Sequence, residues 1–345
     1  MMMILLLGAF RPAQASVLTL GAATGYNAFA FSDFTESGTD SEGRLAVGGN
    51  FAPAGGSFTI ASKHGADGAG IYDLVVGGNF TNVYASLGGG DAFVGGNMTW
   101  TGPTLPNNAV VNGNFNNPAS GGSVGGTISY GGTYSSGTTL KNAKESKPAA
   151  SPIDFLSAKT DLRSLSATLA SQQANGVVGD DGYGTYTLKG QSETTNIFNL
   201  KDSSYTGKTI NISAPESSTV IVNVAGTADS FNGGSINISG VKTNNVIFNF
   251  GSATSLSLSA IAFNGTILAP YAGFTGTWGQ INGQLIANTI AGTTELHDVL
   301  FNGTLPAGAD PISPLSSMPE PSTWILFSAG LLLVGISQRR LRRNS

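Results

Sequence analysis

Short apolar runs alternate along this chain with turns of glycine and asparagine, and the runs recur. VGGNF at 47–51 returns as VGGNF at 76–80, VGGNM at 94–98 and VNGNF at 111–115, at intervals of 29, 18 and 17 residues. A period of about 18 suits one coil of a β-solenoid, in which short strands stack in parallel and small residues turn the corners. Gly and Asn both tolerate a left-handed backbone, so left-handed corners are expected at each repeat. The second half carries the same rhythm in other words: VIVNV at 220–224, VIFNF at 246–250, TILAP at 266–270 and LIANT at 285–289, spaced by 26, 20 and 19 residues. Each of these reads as a buried strand.

One stretch has a different period. In SPIDFLSAKTDLRSLSATLASQQANG, Ser151 is the expected N-cap, Pro152 the first helical residue and Asp154 the capping-box carboxylate. Phe155, Ala158, Leu162, Leu165 and Leu169 follow at steps of 3, 4, 3 and 4, one apolar stripe, and Asn175-Gly176 ends it. The pattern predicts a helix over 152–174, and a lone amphipathic helix in a β-rich chain must lay its stripe against the sheet. The expected fold class is therefore all-β: a right-handed parallel β-solenoid with one long amphipathic α-helix packed alongside, plus a short C-terminal hydrophobic helix. Two β-sandwich domains separated by a helix are the alternative, against which the spacing near 18 speaks.

Composition narrows the function. The chain has 345 residues and 40% hydrophobic content, enough for a sizeable core, but only 10% of residues are charged, against about 25% in ordinary globular proteins. Its 49 glycines are about twice the usual share. The surface must therefore be built from Ser, Thr, Asn and Gly. A net charge of -4 leaves no basic footprint for nucleic acid. With no cysteine, disulfides, a thiol nucleophile and a Cys-ligated metal are excluded.

Both ends read as sorting segments. MMMILLLGAFRPAQA is an apolar run followed by Ala13-Gln14-Ala15, the small-x-small pattern of a signal peptidase site at Ala13 and Ala15. No Lys or Arg precedes the run and Arg11 follows it, so the expected translation start lies further upstream. The expected organisation is a signal peptide at 1–15, a solenoid domain at 16–304, a linker at 305–318 and a terminal segment at 319–345. That last segment, PEPSTWILFSAGLLLVGISQRRLRRNS, has Pro319-Glu320-Pro321, an uncharged stretch from Trp324 to Ile336, and then Arg339, Arg340, Arg342 and Arg343. The stretch is shorter than the roughly 20 residues of a membrane helix, and the arginines hold its end on the cytoplasmic side. Pro-Glu-Pro, hydrophobic stretch and arginine cluster, in that order, resemble the PEP-CTERM sorting signal, which in that family is recognised by an exosortase in the inner membrane of Gram-negative bacteria. An ordinary single-span anchor is the alternative.

A second resemblance covers nearly all of residues 26 to 303. YNAFAFSDFTESGTDSEGRLAVGGNF, the later VVGGNF, VIFNFGSATSLSLSAIAFNGTILAPYAGF and INGQLIANTIAGTTELHDVLFNG look like the choice-of-anchor A family of bacterial surface proteins. That family is similar in organisation to the right-handed β-solenoids with a parallel helix seen in ice-binding proteins, and its members end in one of several surface-sorting signals, PEP-CTERM among them. The resemblance implies a surface or matrix protein with no known catalytic residue, ligand or cofactor.

Candidate chemistry is sparse. The two histidines, His64 and His297, lie far apart in sequence. Alternation places Glu295 and His297 on one face, a metal or acid/base pair in need of one more convergent ligand. The competing expectation, and the favoured one, is a capping turn at the end of the solenoid. Asp33, Asp40 and Glu42 form one acidic cluster and Asp180 with Asp181 another. These are calcium candidates without EF-hand spacing, or turn-forming carboxylates, with Glu42 paired to Arg44. No catalytic residue, confident metal site or cofactor is assigned: the paired carboxylates of a polysaccharide-acting β-helix enzyme are missing from aligned strand positions.

The expected function is an exported, non-catalytic surface or matrix protein. Its expected processing partners are signal peptidase, the general secretion machinery and an exosortase, with transient inner-membrane association. Extracellular polysaccharide is the candidate partner in adhesion or biofilm. The alternatives are a binder of a repeating surface, ice or polysaccharide, which would need a flat row such as Thr-x-Thr on successive coils, and a polysaccharide-acting enzyme.

Overall fold

The computed structural model describes residues 18–306 except 37, 54–57, 65–71, 83–85, 102–103, 106, 118–122 and 137–141. Ala13 and Ala15 of the expected signal-peptidase site, and the whole of 319–345, where a hydrophobic helix is expected, lie outside the described residues. No helix among the described residues is long and apolar enough to cross a membrane.

The chain winds into a parallel β-solenoid with three strands to a coil. Along the first face, 195–200 pairs with 219–224, then 246–249, 266–269 and 285–287. The next strand is not later in sequence but earlier: Ala28–Ala30 lies on 285–287, with Ala28 opposite Leu285 and Ala30 opposite Ala287. From there the stack continues through Leu45–Val47, 74–76, Asp91–Val94, Ala109–Val111, Ile128–Tyr130 and Ala143–Glu145. The chain therefore starts mid-stack, climbs to one end, returns along the outside and climbs back to its start. Among the described residues two pairings depart from the parallel expectation: Val177–Asp180 runs antiparallel to Thr185–Lys189, and Leu18 makes an isolated antiparallel bridge to Leu305. The two-sandwich alternative is overturned, because strands of both halves share one continuous sheet.

The repeat motif is explained position by position. Val47, Val76, Val94 and Val111 pack inside the first face. The Phe positions stack behind the second face, with Phe34, Phe51 and Phe80 rings 5.0 Å apart in sequence of coils, favourable offset pairs. The Asn positions form a ladder up the corner. Asp33 Oδ1 accepts from the Asn50 amide at 2.7 Å, Asn50 Oδ1 from the Asn79 amide, Asn79 Oδ1 from the Asn97 amide and Asn97 Oδ1 from the Asn114 amide. The glycines serve another purpose than the expected left-handed turn, since none of Gly48, Gly77 or Gly95 has positive φ. A Cβ on Gly77 would lie 2.4 Å from the Gly48 carbonyl oxygen, and one on Gly95 2.3 Å from that of Gly77. Close stacking of the corners, not handedness, demands glycine.

Helix α1 (Phe155–Ser171) is shorter than expected because Asp154, not Ser151, is the N-cap: its Oδ1 accepts from the Leu156 and Ser157 amides. Ser151 instead holds the Ile153 amide just before the helix. Ala158, Leu162, Leu165 and Leu169 are buried as the stripe requires, against Ile221, Ile247, Leu268 and Ile286 on the outside of the first face. This double cover explains the apolar runs: Val220, Ile221 and Val222 are buried whichever way they point. Asn249 clamps the helix, donating to the Ser166 carbonyl and accepting from its hydroxyl.

At the seam between the two halves, polar groups are buried and mostly paired. Asn27 Nδ2 donates to the His297 and Gly283 carbonyls, and its Oδ1 accepts from Ser41 Oγ and the Gly43 amide. Residues 298–305 then run lengthwise over the coils as a strap. The Phe301 amide donates to Gln284 Oε1, the Asn302 amide to the Asn244 carbonyl and the Thr304 amide to Thr219 Oγ1. Glu36, fully buried, accepts from the Thr294 amide through one oxygen. Burial raises its pKa to about 8, opposed by that one hydrogen bond.

Two outcomes are expected. Gly77→Ala should lower stability by about 1–3 kcal/mol in urea unfolding, through forced separation of stacked corners. Glu36 binds its proton more tightly folded than unfolded, so its contribution is present in acid and lost as pH rises from its ordinary carboxyl range towards 8, at up to ~1.4 kcal/mol per pH unit. Glu36→Gln should flatten thermal midpoint against pH across that window, with native and variant converging at pH 4.

Candidate binding face

The second face brings together residues that the sequence scatters. Its outward positions, coil by coil, are Ser204, Ser230, Ser257, Thr275, Ala291, Thr35, Ala52, Thr81, Thr99, Asn116 and Ser135. These eleven positions cross the seam without interruption and are all uncharged, ten of them Ala, Ser or Thr and one Asn. A second column runs beside part of it through Asn232, Ser259 and Thr277. The inward neighbours Phe231, Leu258, Phe274, Ile290, Phe34 and Phe51 are buried, so alternation along each strand fixes the polar residues outward. Neighbours along the row are about 4.8 Å apart, and alternate residues along one strand about 6.6 Å. The result is a regular lattice of hydroxyl, amide and methyl groups with no charge to hydrate strongly.

At the rim of this face stands Trp278, 77% exposed and at φ 51, a left-handed conformation that a bulky residue adopts only under constraint. The constraint is the bulge between Gly276 and Gly279, with the Trp278 amide donating to Thr293 Oγ1.

The residues singled out from sequence fall elsewhere. Asp33 heads the corner ladder, Asp40 accepts from Ser62 Oγ on the third face, and Glu42 sits at the next corner. The first acidic cluster is therefore a succession of separate coil positions, not one site. Asp180 and Asp181 are turn-forming: Asp180 accepts from the Gly182 amide, Asp181 from those of Tyr183 and Thr185. The Thr185 and Tyr183 amides hold the Asp181 carboxyl below its ordinary range. Arg44 meets Asp73 at 3.3 Å and Glu42 meets Lys63 at 2.6 Å, so the expected Glu42–Arg44 pair does not form.

The histidines depart furthest from expectation. Glu295 and His297 lie not at an end of the solenoid but at the seam, where 294–297 stacks on 279–282 and meets Ser41 on the other side. His64, from two coils on, comes to the same corner with Nε2 3.1 Å from Asp298. Glu42 supplies the third convergent side chain that sequence spacing did not show, because it comes from the opposite end of the domain sequence. Although partial burial opposes ionisation, hydrogen bonds from Lys63 and the Asp298 amide hold the Glu42 carboxyl below its ordinary range.

Comparison with known proteins gives the lineage. The profile of the ice-binding-like adhesive domain matches residues 19–109 and 99–298. The chain belongs to that family. The adhesive domain so defined includes both halves of the stack, the helix and the seam. No curated protein matches the sequence significantly. Among solved structures the chain is similar to an ice-binding protein from an Antarctic biological consortium, at 16% identity and TM-score 0.37, covering 87% of this chain and 96% of that one. It is also similar to ice-binding proteins of Antarctomyces psychrotrophicus, at 15% identity, TM-score 0.34 and coverage of 84% and 100%, and of Shewanella frigidimarina, at 14%, 0.35, 84% and 99%.

Proposed function

We propose that this protein is an exported, non-catalytic adhesive module that lays its second face on a repeating surface, ice or an ordered polysaccharide. The observation that carries the reading is the uncharged row of eleven outward residues. A rigid solenoid holds their spacing before contact, so little ordering remains to be done on binding. Membership of the ice-binding-like adhesive family supports the same reading. Trp278 favours sugar as a partner beside ice, since an exposed indole held out from the surface offers a flat apolar face with a polar edge.

The ends of the chain supply the address in this reading. The 1–15 segment directs export and is removed after Ala15. Pro319, Glu320 and Pro321 with the hydrophobic stretch and Arg339, Arg340, Arg342 and Arg343 form the PEP-CTERM signal of a choice-of-anchor A protein, held in the inner membrane and cut by an exosortase. The mature domain then reaches the cell surface or the extracellular polysaccharide matrix of a Gram-negative bacterium, where it acts in adhesion and biofilm.

Ser257→Lys with Thr275→Lys places two ammonium groups on the row at positions that bear no core load. This double variant should keep its unfolding free energy within about 1 kcal/mol and lose at least tenfold in ice-recrystallisation inhibition or in co-sedimentation with polysaccharide. Binding by neither native ice assay nor native polysaccharide assay would sink the proposal, and Trp278→Ala weakening only the latter would assign the indole to sugar. For the address, intact mass of the native-host protein should show loss of the chain from about Pro319 onward, with retention in Glu320→Ala; a full-length mature chain would make the tail a permanent anchor.

A further inference from the structure

The corner between the third and first faces gathers both histidines of the chain. One oxygen each of Glu42 and Glu295 and a ring nitrogen of His297 lie within 4.8 Å of one another. All three side chains are half-buried, neither locked in the core nor free in solvent.

A chain of directed hydrogen bonds fixes the tautomer of the neutral His297 ring. It starts at the Ile236 carbonyl, which can only accept, and which takes a hydrogen bond from Asn264 Nδ2 at 2.7 Å. Asn264 Oδ1 is then turned to accept from Asn282 Nδ2 at 2.8 Å. This leaves Asn282 Oδ1 facing His297 Nδ1 at 2.6 Å, so Nδ1 must carry a proton and donate it. In the neutral ring the lone pair is therefore on Nε2, and Nε2 points at Glu295 Oε1 from 3.3 Å. A lone pair facing a carboxylate oxygen is bridged either by a second proton on the ring or by a metal ion. The outer ring nitrogen held by an amide oxygen, with the inner one facing carboxylates, is the arrangement by which proteins orient a metal-binding histidine.

We propose that Glu42, Glu295 and His297 bind one divalent transition-metal ion of the zinc class, and that the ion staples the seam between the two halves of the solenoid. The donor set selects the class: an imidazole nitrogen with two carboxylates suits zinc, cobalt or nickel, whereas calcium takes oxygen alone. Bonds of about 2.1 Å place neighbouring donors about 3 to 3.5 Å apart, a spacing that His297 and Glu295 already have. Glu42 completes the set by turning about its side-chain bonds, its other oxygen remaining on the Asp298 amide at 3.0 Å. Lys63, two-thirds exposed, holds Glu42 Oε1 at 2.6 Å and stands where the ion's charge would act, so metal and ammonium compete. Glu295 and His297 come from the last coil of one half and Glu42 from the first coil of the other, and the ion cross-links segments far apart in sequence. The site is separate from the hydroxyl row and independent of what that row binds.

Calorimetric titration of zinc chloride into the full-length protein tests this, with cobalt(II) as the spectroscopic probe. The expected result is one saturable zinc site, visible d–d absorption on adding cobalt, and a thermal midpoint that rises with zinc concentration as binding to the folded state alone requires. Affinity should fall at least tenfold in His297→Gln and Glu42→Gln and rise several-fold in Lys63→Gln, which removes the competitor. Absence of zinc binding by the native chain, or binding that His297→Gln and Glu42→Gln leave unchanged, overturns the proposal. Lys63→Gln alters only an exposed side chain and decides the matter should the other variants not fold: affinity equal to native overturns it.

Discussion

Everything in this domain rests on the parallel pairing of Ala28–Ala30 with 285–287. A solenoid normally adds each coil to the one before it, so its contacts are local. Here the first coil formed in sequence is a middle coil in space, and it has an unpaired edge until the last coil arrives some 250 residues later. Loop closure of that length costs entropy before the contacts that reward it are made. The seam answers with specificity: Asn27 and Gln284 bury polar groups that are satisfied only when both halves are in register, Glu36 finds its one partner, the Thr294 amide, only there, and a one-residue slip would turn every inward side chain out.

The corners explain why the coils of the second face keep a regular spacing. Gly-Gly at 48–49, 77–78 and 95–96, and Gly113 in the fourth repeat, let successive coils approach until a Cβ would collide with the carbonyl next to it, and the Asn ladder ties each corner to the following amide. Coils so stacked cannot slide, and the stacked rings of Phe34, Phe51 and Phe80 fill the space behind the face. The regular spacing of the outer row is thus a product of residues that never reach the surface of the row.

How much was legible follows from this construction. The coil period, the buried strands of the first face and the helix with its stripe could be read because each is written in consecutive residues. The exact helix start could not, since Ser151 and Asp154 are both good caps and packing decided between them. Ser255, Ser257 and Ser259 alternate visibly, and Thr275 with Thr277 is the Thr-x-Thr pattern itself, so Ser257 and Thr275 of the row, with Ser259 and Thr277 beside it, carried a local signal. The remainder did not, because Thr35, Ala52 and Thr81 come from coils of unequal length on the far side of the seam. The same discontinuity hid the Glu42, Glu295 and His297 corner: proximity there is a property of the closure, not of any stretch of sequence.

The strap of residues 298–305 gives the domain a mechanical character. A load drawn through Pro306 meets this segment before any coil, and must strip Thr304 from Thr219, Asn302 from Asn244 and Phe301 from Gln284 in turn. Each of these bonds ends on a side chain or on a turn carbonyl outside the strand ladders, so the strap is tied to the stack by contacts separate from those that hold its coils together.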